Sequence, residues 1–201
     1  MNAALRVFAQ TGFAEAKMEE VAAAANLSKA ALYLYFPSKE ALLRSLLERY
    51  TLLPELPARL AALRDLPPAV VIPNLVGEIW QRLRERKELA RVIVREIQSN
   101  PERAKLLTEQ AGMPVFQSLA GYLDHWMKRG VLRSQHAFAT AQCLFGMLWF
   151  FLLNQELSGG KQLYPLSDET IVNTVARMFL DGVAKPARHF APHVAADRRR
   201  H

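Results

Sequence analysis

Residues 18–43 read MEEVAAAANLSKAALYLYFPSKEALL, two short helical patterns separated by the break Ala25-Asn26-Leu27-Ser28. Val21, Ala22 and Ala25 fall at i, i+1 and i+4 and form one apolar face of the first helix, with Glu19 and Glu20 in its first turn. Asn tolerates the left-handed conformation that closes a helix, and Ser28 is suited to cap the next one. Ala31, Leu32 and Tyr35 share a face of that second helix, which leaves Lys29, Ala30, Tyr33 and Leu34 more exposed. Two helices joined by so short a turn form the unit that lays its second helix in a DNA major groove, and DNA binding is therefore expected.

The rest of the chain carries helical spacing without sustained period-two alternation, so an all-α fold is expected. Leu5, Phe8 and Ala9 form a first stripe ended by Gly12. Ser38 is read as the cap of a helix running to about residue 53, broken by Pro54 and Pro57 and followed by irregular turns over 56–66. Further helices are expected over 73–86 with Pro73 in the first turn, 88–99, 101–111, 115–129, 134–156 and from 167 to about 183. Gly112-Met113-Pro114 is expected to interrupt the helical run between the third and fourth of these helices.

Composition narrows the class. At 201 residues, 51% hydrophobic and 22% charged, the chain has the make-up of a soluble globular protein. Its one cysteine excludes an internal disulfide and fits a reducing cytoplasm, the expected location. Residues 1–13 lack the pattern of a secretory signal, and the longest apolar run, 143–153, is too short to cross a bilayer, so no membrane partner is expected. The net charge of +7 does not single out the helix pair, since residues 1–50 hold six Lys/Arg against five Glu. No nucleophile–base arrangement, metal cluster or glycine-rich phosphate loop is evident, so no catalytic residue, metal or cofactor is expected. His189 and His193 have i,i+4 spacing, but Pro192 argues against a helix between them. Cys143 reads as a buried, inert thiol, and Arg82, Arg84, Arg86 and Lys87, interleaved with Glu85 and Glu88, read as a solvated face.

Residues 3–47 resemble the DNA-binding domain of the TetR family of bacterial transcription regulators. The matching words are ALRVFAQTGF and MEEVAAAANLSKAALYLYFPSKEALL, with Gly12-Phe13, Ser28, Tyr33, Tyr35-Phe36 and Lys39-Glu40 in order and at the family's spacing. Residues 91–133 and the 178–183 run MFLDGV are similar to the C-terminal half of one broad subgroup of that family. The resemblance implies a helix-turn-helix unit over 1–47, a helical effector-binding and dimerisation unit over 48–184, and a mobile tail over 185–201. In this reading Ser28, Lys29, Ala30, Tyr33, Tyr35 and Lys39 face DNA. Ser28 and the helix start would meet a phosphate, Tyr33 a thymine methyl and a phosphate, and Lys39 the backbone, as the resemblance implies. Leu34 stands where the family often has a polar or basic residue, and the chain begins within the family's first helix.

Trp80, Phe116, Trp126, Phe145 and Trp149, with Met147 and Phe150, are candidates to line an apolar effector cavity, although taken one by one such residues more often fill the core. Glu96, Asp124 and His125 are the polar candidates nearby. The resemblance also implies that the last two long helices pair with their copies in a homodimer. Cys143, Gly146, Phe150, Val175 and Phe179 suit such a seam or the core of one subunit. The expected function is a ligand-responsive repressor that binds palindromic double-stranded operator DNA as a homodimer and is released by a small apolar or amphipathic effector. The alternative is a small-molecule-binding or interaction module of the same fold without specific DNA binding.

Overall fold

Apolar residues at helical spacing fold into twelve α-helices within residues 1–50 and 55–184, the part that this computed structural model describes. They are α1 (Asn2–Thr11), α2 (Met18–Ala24), α3 (Lys29–Tyr35), α4 (Lys39–Tyr50), α5 (Leu56–Ala62) and α6 (Pro68–Glu85). Then follow α7 (Lys87–Ser99), α8 (Pro101–Leu107), α9 (Met113–Lys128), α10 (Ala137–Phe151), α11 (Gly160–Leu163) and α12 (Asp168–Val183). A π-helical turn, Thr108–Gly112, joins α8 to α9, and another, Leu152–Leu157, extends α10. Among the described residues no strand forms, and the β pairing is a bridge between Leu132 and Ala184.

Two hydrophobic cores result. The first gathers Phe8, Phe13, Leu32, Leu42, Leu43 and Leu46 from the first four helices and their connections, and takes Leu89, Val92 and Leu107 from α7 and α8. Phe8 and Phe13 meet edge to face with ring centroids 5.2 Å apart. The second core fills the space between α5, α6, α9, α10 and α12, with Ile72, Ile79, Leu123, Leu144 and Leu148 almost fully enclosed.

Several expected boundaries move, each for a backbone reason. The helix expected from Pro73 starts at Pro68, because proline at the first position has its φ preset and no N–H to satisfy. Pro67 accepts the N–H groups of Val70 and Val71 at 2.9 and 3.1 Å, and Pro73 lies inside the helix. Residues 56–62 form a regular helix rather than irregular turns, since Leu56 and Leu60 give it a buried face. Gly112-Met113-Pro114 does not break the chain into two helices. Proline cannot return an N–H to the carbonyl four residues back, and the helix widens instead, with Met113 N–H reaching Thr108 O. The helix expected from 134 starts at Ala137, where His136 Nδ1 accepts Ala139 N–H at 3.3 Å. The expected helix end near 53, the Pro54 break, the tail over 185–201 and its histidines lie outside the described residues.

Helix α10 and its π extension, Ala137–Leu157, run for 21 residues and include an 18-residue stretch with a mean hydropathy of 1.5. By length and composition alone that suffices to cross a bilayer, which the 11-residue run in the sequence did not suggest. One face of it, Thr140, Ala141, Leu144, Leu148 and Leu152, is core. Cys143 sits on another face and is exposed, not buried. Val175 and Phe179 are 1% and 4% exposed and serve the subunit's own core; Phe150 and Met178 are the exposed apolar residues of α10 and α12.

Tyr122 ties α9 to the loop before α6. Its ring is enclosed and its hydroxyl donates to Leu66 O at 2.8 Å. Burial pushes the phenol up to about 12, although the nearby indole of Trp126 opposes the shift. The unfolded chain ionises this group near its ordinary value while the folded one does not, so stability is lost as pH rises from about 10 through about 12. Urea unfolding at pH 9 and pH 11 should show a steeper loss for the native chain than for Tyr122→Phe.

Candidate nucleic-acid interface and internal cavity

The turn between α2 and α3 is built from three local features. Asn26 takes φ 54°, the left-handed conformation, directly after the end of α2. Leu27 N–H then bonds Ala22 O at 2.9 Å and Asn26 N–H bonds Ala23 O at 3.1 Å, the two bonds of a Schellman closure. Ser28 caps α3, its Oγ accepting Ala31 N–H at 3.1 Å. Val21 and Ala22 on α2 and Leu32 on α3 anchor the pair in the first core.

With Leu32 buried, the rest of α3 faces outward. Ser28, Lys29 and Ala30 are exposed, and Tyr33, Leu34 and Tyr35 are 40%, 81% and 71% exposed. Tyr35 does not share the buried face with Leu32, contrary to expectation. The helix ends there, and the extended Phe36 that follows packs against the first core in its place. Such a run of large apolar side chains on a seven-residue helix is unusual for a surface that meets only water.

Both lysines of the interface already have partners. Lys29 forms an ion pair with Glu19 of α2, and its Nζ stands 5.8 Å from the centre of the Tyr33 ring. The Lys29 hydrogen bond, aided by its charge, holds Glu19 below the ordinary carboxylate range, and Lys29 is held above its own. Lys39, half-buried at the start of α4, donates to Ala14 O at 2.8 Å and Ala16 O at 2.9 Å and lies 4.9 Å from the Phe13 ring centre. Two of its three N–H donors thus hold the α1–α2 loop, leaving one for a phosphate.

Glu96, one of the polar candidates for a cavity, ties the α1–α2 loop to α7 and α8. It is 1% exposed on α7; Oε1 accepts Phe13 N–H at 3.3 Å and Oε2 accepts Arg103 Nε at 2.5 Å. Arg103 of α8 also stands 5.3 Å from the Phe13 ring. Gly12, at φ 89°, lets α1 stop here; a Cβ on it would lie 2.6 Å from Arg95 Cζ. Sequence reasoning missed this junction, because its partners are 83 residues apart.

A cavity of about 380 Å³ opens beside that junction. Leu83, Leu89, Ile93 and Ile97 of α6 and α7 form one wall, Leu107 and the π turn a second, and Phe116, Phe145 and Trp149 of α9 and α10 a third. Phe145 stacks on Trp149 at 5.9 Å and meets Phe116 edge to face at 5.5 Å. Its charged lining is Arg82 and Arg86, which the sequence suggested were a solvated face. Trp80 and Trp126 lie elsewhere: Trp80 is core with Nε1 donating to Asp168 Oδ1 at 3.0 Å, and Trp126 is core with Arg129 5.1 Å from its ring. Asp124 pairs with Lys128 at 2.6 Å and His125 lies between Arg64 and Asp65, so neither lines the cavity.

Comparison with known proteins places these features in a family. A family model described as "Bacterial regulatory proteins, tetR family" matches residues 1–46, and one described as "AefR-like transcriptional repressor, C-terminal domain" matches residues 83–182. The uncharacterized HTH-type transcriptional regulators YuxN and YerO of Bacillus subtilis (strain 168) are similar in part. YuxN is 48% identical over 50 residues, 25% of this chain and 17% of that protein. YerO is 32% identical over 98 residues, 48% of this chain and 34% of that protein. The chain therefore spans about a third or less of the length of these curated relatives. Among solved structures, the fatty acid degradation regulator FadR from Bacillus halodurans has a TM-score of 0.75 at 23% identity over 90% of this chain and 96% of that one. The transcriptional regulator FadR from Bacillus subtilis, in complex with stearoyl-CoA, has a TM-score of 0.73 at 20% identity over 90% and 96%. At these identities the two structures share the fold.

Removing the buried acceptor at the junction should be costly. Glu96→Ala leaves Phe13 N–H unpaired and Arg103 without its carboxylate, for an expected loss of about 2–3 kcal/mol in urea unfolding. Glu96→Gln, which keeps an acceptor for Phe13, should lose about 1 kcal/mol.

Proposed function

The chain belongs to the TetR family of bacterial transcription regulators, and we propose that it works as a homodimeric, ligand-released repressor of a palindromic operator. The observation that carries the DNA-binding part is α3 itself. Its turn, cap and buried Leu32 are fully built, while Tyr33, Leu34 and Tyr35 are left in solvent. Tyr33 and Tyr35 contact base edges or sugar–phosphate, Ser28 and Ala30 allow close approach at the helix start, and Lys29 leaves Glu19 for a phosphate. Lys39 holds the loop against the helix pair and offers its remaining donor to the backbone. Leu34 contributes apolar contact where a polar residue would add a hydrogen bond.

Dimerisation is supported by the outward face of α10 and α12. Cys143, Gly146 and Phe150 repeat at i, i+3 and i+7, all exposed, and Met178 is 65% exposed on α12. A second copy covers an apolar face this long, and its two-fold symmetry sets two recognition helices against half-sites about one DNA turn, roughly 34 Å, apart. Repression agrees with the description of the matching C-terminal model. The internal cavity, walled by Phe116, Phe145 and Trp149, is the effector site, and its volume of about 380 Å³ falls in the range of small-molecule sites. The stearoyl-CoA bound by the Bacillus subtilis neighbour is consistent with an apolar or amphipathic effector. The effector releases DNA by favouring a dimer geometry in which the recognition helices no longer match successive major grooves. The division into residues 1–47 for DNA and 48–184 for effector and partner follows from these assignments.

Mobility shifts with the gene's own upstream DNA, at about 150 mM salt, test the core of this reading. Binding no tighter than to random DNA would overturn it in favour of a binding module of the same fold. Tyr33→Ala should weaken specific binding by about tenfold or more, with the sedimentation of the protein unchanged. Phe150→Glu should instead give a monomer in sedimentation, with the helical circular-dichroism signal retained and operator binding weakened with the lost dimer.

A further inference from the structure

We propose that the cavity is built for an anionic amphiphile, with Arg82 and Arg86 as the receptor for its head group. This rests on the cavity being the effector site. The residues that line it include two arginines and no aspartate or glutamate, so its field is positive over an otherwise apolar surface. The arginines stand at i and i+4, the last turn of α6 and the residue after it, and therefore share a face. Arg84, between them, turns to the other side and pairs with Asp168 and Glu156.

Arg82 has one further partner, the carboxylate of Glu55 at the start of α5, which lies outside the cavity lining and is mostly exposed. A guanidinium has five N–H donors in a fork, enough to hold Glu55 and an incoming anion at once. The hydrogen bond and charge of Arg82, with Arg86 and Arg59 adding to them, hold Glu55 below the ordinary carboxylate range. That is the effect of a local positive field that a ligand's head would meet. The remaining polar groups cannot replace the arginines: Thr108 spends its hydroxyl proton on Ala104 O at 2.8 Å, and Gln142 is neutral. Below the head, Ile93, Phe116, Phe145 and Trp149 give the chain of the amphiphile an apolar bed.

Calorimetric titration of the full chain with ligands of one chain length separates head from tail: dodecanoate and dodecyl phosphate as anions, dodecanol as the neutral control, and dodecyltrimethylammonium as the cation. At least one anion should bind about tenfold or more tightly than dodecanol, and the cation should bind weakest. Arg82→Gln and Arg86→Gln should each remove most of that advantage while leaving dodecanol affinity unchanged, which also reports that the cavity is intact. Arg86→Lys should keep part of it. If dodecanol binds as tightly as both anions, or the anion advantage survives both glutamine variants, the head-group assignment is overturned and the effector cavity stands. If none of the four ligands binds, the assignment falls together with the effector reading of the cavity, while the mobility-shift result is untouched.

Discussion

The carboxylate of Glu96 holds the two halves of the molecule in register. It sits in the protein interior with one oxygen on the backbone N–H of Phe13 and the other on Arg103. A buried carboxylate is tolerable only if both oxygens are served, and a buried N–H only if it has an acceptor. Phe13 supplies the donor because Gly12 at φ 89° ends α1 and turns the following N–H, that of Phe13, toward α7. The ring of the same Phe13 fills the first core beside Phe8 and lies near both Lys39 and Arg103. One residue of the α1–α2 loop therefore meets α4, α7 and α8, and the placement of the helix pair follows from it.

The cavity shares material with that junction. Leu89 and Leu107 belong to the first core and also line the cavity. Ile93 and Ile97, which line it too, flank Glu96 on α7. A side chain packed on both sides cannot shift toward one without changing its contacts with the other. The π turn at Thr108–Gly112 adds to this, since it lies in the cavity wall between α8, which carries Arg103, and α9. The physical path from a filled cavity to α1 is thus one helix thick. What a ligand does along it depends on its differing affinity for the two arrangements, not on contact alone.

How much of this was legible in the sequence divides along the range of the interactions. Asn26, Ser28 and Ser38 act on backbone groups within a few residues, and their roles were readable from residue type and position. Helix faces were readable where they repeat over several turns, as with Leu75 and Ile79 on α6. Tyr35 was misread because a seven-residue helix has too few turns to define a stripe, and Phe36 took the inner place. Trp80 and Trp126, offered to cavity or core, went to the core, a choice that periodicity cannot make. Arg82 and Arg86 looked solvated because their surroundings come from α7, α8 and α10, none of which is visible in the local pattern of alternating charge. Val175 and Phe179 turned to the core, and the neighbouring Met178 was left outside.

Net charge bears on how the helix-turn-helix meets DNA. Residues 1–50 carry a balance of only +1, and two of their cations, Lys29 and Lys39, are already bound to Glu19 and to the carbonyls of Ala14 and Ala16. Counterion release scales with the number of phosphates neutralised, so a unit with so few available cations draws less of its affinity from that source. The exposed side chains of α3 are instead aromatic and aliphatic, which suit thymine methyls and sugar edges more than bare phosphate. The Glu19–Lys29 pair sharpens the contrast: while it stands, the acid neutralises the one basic side chain of α3. Breaking it at the DNA surface costs little, since both partners are more than half exposed. A phosphate in the right place can therefore take Lys29 from Glu19, and one in the wrong place meets a surface that is nearly neutral.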